Sequence, residues 1–387
     1  MNVNSPREDQ IIHFASQLVQ HQSYSGQEEA VIRLVEKKML DLGFEEVKID
    51  TMGNVIGRVG VGETTILFDS HLDTVEVNDG DEWDFDPFGG DVIDGKLFGR
   101  GSVDMKSAAA ASIFAAIEAK EKGNLEGKTV YVSCTVFEED CDGENLKHML
   151  KEFELQPDYV IICEPSNNQI ALGHKGKAQV VIQTEGISAH GSAPEKGKNA
   201  VYEMAEIITR VNELNKSLLP NSDGQKGTVV LSKISSQSAS LNAVPTECEI
   251  YLDRRTVVGE TDKAVKTEFD ALVQGKNASW KIGNIHRKSW TGLEINYEPF
   301  HSPWKIDENH KLTKDCITAY KSTFNQETPK FMYWDFSTNA VATIPLGIPT
   351  IGFGPGDPGL AHMRNEAVET IQIVEAFQFY KELIKKI

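Results

Sequence analysis

Hydrophobic positions in the first part of the chain change repeatedly between helical and extended spacing. Capping-box patterns at residues 5–8 and 25–28 each precede apolar positions three and four residues apart, which predicts two helices. The other elements that this spacing predicts are strands at 45–50, 54–60, 64–68, 129–137 and 159–163, and helices at 105–122 and 142–153. Strands that alternate with helices indicate an α/β layer with a largely parallel sheet.

The order of elements changes near Gly173. The pattern that follows predicts strand, helix, strand, strand, helix and strand, at 177–184, 198–216, 227–236, 246–255, 260–274 and 279–287. This is the ferredoxin-like order. A helix near 308–324, a strand at 349–353 and a final helix at 366–386 then return to the first pattern. We therefore predict a discontinuous α/β catalytic domain, residues 1–173 and 291–387, with an α+β domain inserted at 174–290.

Composition narrows the class of protein. The chain has 40% hydrophobic and 25% charged residues, as is usual for soluble globular proteins. Its net charge of -19 disfavours nucleic acid and anionic membranes as partners. Five cysteines without a C-x-x-C pair favour free thiols in a reducing compartment, and the N-terminus lacks the pattern of a signal peptide. We therefore expect a cytoplasmic protein.

Acidic and histidine residues gather where three predicted strands end. His71 and Asp73 follow one strand, Glu138 and Glu139 follow a second, and Glu164 follows a third. Any one of these could be an ordinary solvated side chain. Because the carboxyl ends of strands in open α/β sheets form the usual site crevice, three such clusters favour a functional site.

Two further candidates lie outside those strand ends. Asp104 precedes an alanine-rich helix, which it could simply cap, and His362 lies near the C-terminus, where a lone histidine is more often structural. Together the candidates supply two histidines and three or four carboxylates, a mixture that suits zinc and related divalent ions. A two-metal site needs a bridging carboxylate and one acidic residue left unligated to act as a base.

The ordered set of motifs resembles the aminoacylase/acetylornithine deacetylase family of two-metal peptidases and deacylases, which includes succinyl-diaminopimelate desuccinylases. The matching elements are His71-x-Asp73, Gly101-x-x-Asp104-x-Lys106, Glu138-Glu139, Glu164-Pro165, Ala189-His190-Gly191-Ser192, and Ala361-His362 with Glu366. The chain is also similar to the subgroup called selenium-metabolism-linked hydrolases. The resemblance implies a zinc-peptidase-like catalytic domain with an inserted ferredoxin-like lid, through which two copies would form a homodimer.

The resemblance also implies a ligand set for two divalent ions per chain. Asp104 would bridge the ions, His71 and Glu164 would complete one site, and Glu139 and His362 would complete the other. Zinc is the favoured ion, and Co²⁺ or Mn²⁺ would suit the same ligands.

Three catalytic roles follow from the same resemblance. Glu138 would be the general base that activates a metal-bridged hydroxide. Asp73 would hydrogen-bond the far nitrogen of the metal-binding histidine and fix its tautomer. His190 in the lid would stabilise the oxyanion, and in many relatives this histidine reaches across a dimer.

For the residues that could bind the substrate, a purely structural role is about equally favoured. Asn242 and Arg255 resemble substrate-binding residues of the deacylase branch, and the adjacent Arg254 could substitute for Arg255. Both arginines could equally form ion pairs on the surface of the lid. The N–H groups of Gly354 and Gly356 could bind the same substrate carboxylate, or the segment could be a plain turn.

The expected function is hydrolysis of the amide bond of a small N-acyl amino acid or related metabolite, whose carboxylate the lid would bind. Within the family resembled, glutamate at position 164 favours deacylases and carboxypeptidases over di- and tripeptidases. An exopeptidase (dipeptidase or carboxypeptidase) and a ureido-acid hydrolase remain alternatives that use the same site. A catalytically silent binding protein is less favoured, because neither a ligand nor Glu138 is missing.

Overall fold

The structure, a computed structural model, describes residues 5–327 and 329–387. Its helices are α1 Pro6–Val19, α2 Glu29–Leu42, α3 Ser107–Glu121, α4 Glu144–Glu152, α5 Ala200–Ser217, α6 Asp262–Val273, α7 Lys311–Phe324, α8 Ala340–Thr343 and α9 Thr370–Lys386. Its strands are β1 Glu46–Ile49, β2 Val55–Gly60, β3 Thr64–His71, β4 Val92–Ile93, β5 Lys96–Phe98, β6 Lys128–Thr135, β7 Tyr159–Ile162, β8 Ile170–His174, β9 Gly176–Glu185, β10 Thr228–Gln237, β11 Glu247–Thr256, β12 Ala278–Ile282, β13 Ile285–Lys288, β14 Glu294–Tyr297, β15 Phe300–His301, β16 Trp304–Lys305, β17 Phe331–Trp334, β18 Thr350–Gly352 and β19 Ala367–Glu369.

A mixed sheet forms the centre of the larger part of the molecule. Its strand order is β1-β2-β6-β3-β7-β18-β8-β16, with β17 paired to β8. The middle strand β3 is parallel to β6 and β7, whereas β2 and β16 run antiparallel to their neighbours. The sheet is therefore less uniformly parallel than the sequence predicts. The alanine-rich helix α3 is almost entirely buried against α1 and α9, because its small side chains permit close packing.

A second, antiparallel sheet has the ferredoxin-like order that the sequence predicts. Its strands lie in the order β10-β11-β9-β12, and α5 and α6 pack on it. Its buried apolar residues form a cluster separate from that of the central sheet. The predicted strand at 279–287 is in fact two strands, because the chain leaves the sheet at Gly283 and β13 pairs with β14. The segment boundaries at residues 174 and 290 stay a prediction.

One of the two predicted capping boxes is present. Ser5 and Glu8 make both reciprocal hydrogen bonds at the start of α1. The prediction at residues 25–28 is wrong, because α2 begins without a side-chain cap. Ser25 donates instead to Asp73, and the Glu28 carboxylate is turned into the protein interior.

The five cysteines are all buried and free in the described part of the chain, which confirms the expectation of unpaired thiols. Among residues 5–327 and 329–387, no helix combines the length and the apolar character needed to cross a bilayer.

Candidate metal centre

Three strand ends bring the predicted acidic cluster together at one edge of the central sheet. His71 is the last residue of β3, Glu138 and Glu139 follow β6, and Glu164 follows β7. Because β3 lies between β6 and β7 and is parallel to both, the three ends meet. Asp104 joins them from the loop before α3. The cluster therefore combines residues that are distant in sequence but adjacent at the ends of neighbouring strands.

Asp104 lies between the two histidines of the cluster. His71 Nε2 is 2.9 Å from Asp104 Oδ1 and 3.6 Å from Glu164 Oε1. His362 Nε2 is 3.3 Å from Asp104 Oδ2 and 3.0 Å from Glu139 Oε1. One carboxylate thus offers one oxygen to each half of the cluster, as a bridging ligand must.

The donor atoms fit divalent metal ions. Two triplets have ligand atoms within 4.8 Å of one another: His71, Asp104 and Glu139, and His71, Glu138 and Glu164. All the donors are imidazole nitrogens or carboxylate oxygens, the set that zinc and similar ions accept. In addition, Glu138 Oε1 is buried without a hydrogen-bond partner among the described residues. The donor set of the cluster therefore fits divalent metal ions.

Burial and repulsion between carboxylates dominate the electrostatics of the cluster. Burial, together with the charge of Glu164, raises the pKa of Glu138 well above its usual value. Burial and the charge of Asp104 do the same to the pKa of Glu164. Burial opposes protonation of His362, yet hydrogen bonds to Asp104 and Glu139 raise its pKa to about 10. Four carboxylates facing two histidines leave an excess of negative charge that divalent cations would neutralise.

A buried ion pair supports the two loops that supply Asp104 and His362. Glu366 Oε1 accepts hydrogen bonds from the amides of Val103, at 2.9 Å, and Asp104, at 3.2 Å. Its other oxygen lies 2.6 Å from Arg100 Nη1, and Arg100 Nη2 donates to the carbonyl of His362. Sequence reasoning did not assign a role to Arg100, because only the fold brings it to Glu366.

The carboxylate of Asp73 binds two backbone amides and also lies close to the ring of His71. His71 Nδ1 is 2.9 Å from the carbonyl oxygen of Asp73 and 3.6 Å from its Oδ1. The carboxylate accepts from the amides of Glu138, at 3.0 Å, and Glu139, at 3.1 Å. The hydrogen bond of the ring nitrogen is thus to the Asp73 carbonyl, the carboxylate lies within ion-pair distance of the ring, and its predicted role in fixing the tautomer stays a prediction.

A cavity of 330 Å³ opens beside the cluster. Two lid residues line it, Lys177 and Arg255, but neither His190 nor Asn242 is among its described lining residues. Both of these are exposed, and His190 Nδ1 lies 2.7 Å from the hydroxyl of Ser192. Within one chain, the structure does not bring His190 and Asn242 to the acidic cluster.

The two adjacent arginines of the lid have different surroundings. Arg254 is fully buried and forms ion pairs with Glu260 and Glu268, so the prediction that it could replace Arg255 is wrong. Arg255 reaches the cavity, with its Nε 2.7 Å from Asp253 Oδ1. Strand alternation explains the difference, because neighbouring side chains on β11 point to opposite faces.

The glycine turn near the C-terminus does not form the expected anion site. The amide of Gly354 donates to Ser166 Oγ, and the amide of Gly356 donates to Gln372 Oε1, each at 2.9 Å. Both N–H groups are therefore already used, and the plain turn is the correct interpretation.

A second charged group was missed by sequence reasoning. Lys177 Nζ lies 3.0 Å from Asp142 Oδ1, and His301 Nε2 lies 3.3 Å from Asp142 Oδ2. Asp142 follows the Glu138-Glu139 pair closely, and it lines the cavity with Lys177. No local pattern indicated the contact, because it joins the start of β9 to the loop after β6.

The chain is similar in sequence to known proteins over most of its length. The chain is 36% identical over 370 residues to the uncharacterized protein YgeY of Escherichia coli (strain K12), covering 95% of this chain and 92% of that protein. It is 26% identical to a probable succinyl-diaminopimelate desuccinylase of Staphylococcus epidermidis, with 89% of each chain covered.

Solved structures share the fold across almost the whole chain. An M20 family metallo-carboxypeptidase from Sulfolobus solfataricus matches with a TM-score of 0.74 at 19% identity, covering 99% of both chains. YXEP of Bacillus subtilis, described as a dinuclear metal-binding peptidase, matches with a TM-score of 0.68 at 14% identity, covering 99% of this chain and 98% of its own. Residues 67–386 match the sequence model of a family that is described as Peptidase family M20/M25/M40. The homologues indicate a hydrolytic enzyme that acts on amide bonds, and the chain belongs to the M20/M25/M40 family of peptidases.

Proposed function

We propose that this chain hydrolyses the amide bond of a small N-acyl amino acid with the help of two divalent ions. The observation that carries the proposal is the position of Asp104, whose two oxygens face His71 and His362, beside the unpartnered carboxylate oxygen of Glu138. This arrangement would supply a bridging ligand and a free base in one site.

The proposed ligands divide into two sets that share Asp104. His71 and Glu164 would hold one ion, and Glu139 and His362 would hold the other. When bound, such ions polarise the substrate carbonyl and make water acidic enough to ionise near neutral pH. Zinc is our proposed ion, with Co²⁺ and Mn²⁺ as substitutes.

Glu138 is the residue proposed to move the proton. It would take a proton from the attacking water and deliver it to the leaving nitrogen, so that one carboxyl group serves as base and then as acid. Burial raises the pKa of Glu138, which favours the protonated form that delivers the proton to the leaving nitrogen. Asp73 supports it by holding its amide.

A substrate with a carboxylate fits the lid side of the cavity. Arg255 and Lys177 place two cations there, although each is paired with an aspartate, Asp253 and Asp142. The similarity to a probable desuccinylase supports a deacylase that acts on acylated amino acids. The similarity to a metallo-carboxypeptidase supports an exopeptidase as the second candidate, because the same cations would bind the C-terminal carboxylate of a peptide.

Completion of the site by a second copy of the chain is part of the proposal. His190 is exposed and outside the cavity lining that the structure describes, so a lid from another subunit would have to supply it. Strand β10 is an edge of the lid sheet and exposes Val230 and Ile234, and Leu241 is fully exposed. Exposed apolar residues on an unpaired edge strand favour a homodimer through the lid.

The test is a substrate panel with protein that is first stripped of metal and then loaded with zinc, cobalt or manganese. N-succinyl and N-acetyl amino acids, dipeptides and N-carbamoyl amino acids would be compared by mass spectrometry, with ammonia release as a separate readout. We expect turnover of acylated amino acids at two bound ions per chain. Turnover of dipeptides alone would support the exopeptidase, and ammonia release would support a ureido-acid hydrolase. Protein that binds fewer than two ions and cleaves nothing would overturn the proposal.

A further inference from the structure

Four consecutive backbone amides, residues 136–139, each donate to a side-chain oxygen. The amide of Val136 donates to Asn54 Oδ1 at 2.9 Å, and that of Phe137 donates to Glu28 Oε1 at 3.3 Å. The amides of the next two residues both donate to the carboxylate of Asp73. We call this segment the four-amide turn. Ladder pairing has ended at Thr135, so these side chains replace the hydrogen bonds of the sheet.

The four-amide turn solves a geometric problem at the catalytic pair. Adjacent residues on an extended strand point to opposite faces, so Glu138 and Glu139 can share one site only if the backbone turns. Phe137 supplies that turn with a φ of 61°, a left-handed conformation that is costly for an aromatic residue. Such a conformation persists only where the surroundings determine it strongly.

Among the side chains that accept hydrogen bonds from the four-amide turn, Glu28 is the unexpected one. Its sequence position matches a capping box, yet its side chain does not cap α2 and is fully buried. Oε1 accepts from Gly26 as well as from Phe137, while Oε2 has no partner among the described residues. Burying a carboxyl group with one oxygen unsatisfied is unfavourable, so stability alone does not explain it.

The segment that contains Glu28, residues 25–28, packs closely against the four-amide turn. Gly26 has a φ of +88°, and a Cβ there would meet the ring of Phe137 at 3.2 Å. Ser25 donates to Asp73 at 2.8 Å, so residues of this segment contact both carboxylates that hold the turn. We propose that Glu28 is a positioning residue for the general base, which it orients by fixing the amide of Phe137 in the four-amide turn.

This inference rests on the proposed role of Glu138, and its test separates the two. Burial and the charge of Asp73 raise the pKa of Glu28 to about 8, so a neutral carboxyl group is the main form at neutral pH. Glu28→Gln imitates that form and keeps the acceptor oxygen, whereas Glu28→Ala removes it. Val35→Ala is a matched control, because Val35 is fully buried in α2 and makes no side-chain hydrogen bond to the turn.

Two readouts decide the inference in the metal-loaded enzyme. Native-state hydrogen exchange of a peptide that contains residues 136–139 should accelerate roughly tenfold in Glu28→Ala. The same variant should lose about tenfold or more in kcat with little change in KM, because a small displacement of the base costs rate more than binding. Glu28→Gln and Val35→Ala should stay within about threefold of the parent protein in both readouts.

Several results would overturn the inference. These are unchanged exchange in Glu28→Ala, faster exchange with unchanged kcat, or an equal loss of kcat in Val35→Ala at a matched loss of Tm. If Glu28→Ala does not fold, Glu28→Asp replaces it, since a carboxyl group one methylene shorter should still speed exchange of residues 136–139. If the parent protein hydrolyses none of the substrates, the proposed function fails, but the exchange experiment still shows whether Glu28 fixes the turn.

Discussion

The acidic cluster and the lid surface around His190 differ in how their side chains are held. In the cluster, His71, Asp104 and Glu164 are buried and in contact, and Glu366 holds the backbone amide of Asp104. On the lid, His190 and Asn242 are exposed and contact only nearby lid residues among those described. The cluster is thus prepared within one chain, whereas the lid residues gain a role only if something brings them to it.

The largest expected effect lies within the cluster. Glu138→Gln should retain both ions but lose roughly 10²–10⁴ in kcat, because general acid–base catalysis is typically worth that much. Glu139→Gln should instead lose metal, since Glu139 Oε1 lies 3.0 Å from His362 Nε2 in the proposed ligand set. Metal analysis and steady-state kinetics on both variants make the comparison. Metal loss in Glu138→Gln with retention in Glu139→Gln would mean that the two roles are exchanged.

The next effect tests whether the lid completes the cluster. His190→Ala should fold and bind metal, and lose about 10²–10³ in kcat, as expected for loss of an oxyanion donor. Mixing it with inactive Glu138→Ala under conditions of subunit exchange should restore part of the activity if His190 acts across a dimer. Parental turnover by His190→Ala would refute the assignment.

A smaller effect distinguishes the two lid arginines. Arg255→Ala should reduce kcat/KM for carboxylate-containing substrates by roughly ten- to hundredfold, since a hydrogen bond to a charged group contributes about 1.5–3 kcal/mol. Arg254→Ala should leave kcat/KM nearly unchanged but lower the free energy of unfolding by about 3 kcal/mol, because it leaves Glu260 and Glu268 without their partner. Kinetics and chemical denaturation measure the two effects. Equal kinetic losses in both variants would remove the distinction.

The smallest effect concerns pH and the metal-free cluster. The pKa values of Glu138 and Glu164 are raised by burial, and that of His362 is raised to about 10. Groups with raised folded-state pKa values stabilise the protein below their unfolded pKa and lose that contribution as pH rises through the folded value. In chelator, Tm should therefore fall by roughly 2–4 °C between pH 6.5 and 10.

Bound metal should reverse the fall of Tm with rising pH. Ligands bind ions in their deprotonated forms, so metal affinity rises with pH and the difference in Tm between loaded and stripped protein should widen. Scanning fluorimetry across the pH range, with and without zinc, measures both slopes. A stripped protein whose Tm rises over this range would contradict the electrostatics described for the cluster.

The cluster was largely predictable from sequence, and its support was not. Strand periodicity placed His71 and Glu164 at strand ends, and parallel pairing then required those ends to meet. Asp73 was predicted to contact the ring of His71, but its hydrogen bonds to two backbone amides after β6 were not predicted. Arg100 had no assigned role, because its contact with Glu366 spans 266 positions in the sequence.

On the lid, sequence could place residues on strands but could not show what they face. Arg254 and Arg255 are neighbours in sequence, yet one is buried among glutamates and the other reaches the cavity. Gly354 and Gly356 have the composition of an anion-binding loop, but a serine and a glutamine accept their N–H groups. Local patterns cannot show which distant side chain will take a free donor.

The four-amide turn also constrains how the protein can change. Asn54, Glu28 and Asp73 come from three separate loops and act on one short stretch of backbone. Substitutions among them should be epistatic, with coupling energies of about 0.5–3 kcal/mol, since residues in one hydrogen-bond network do not contribute additively. This corner of the catalytic sheet should therefore be inherited as a block.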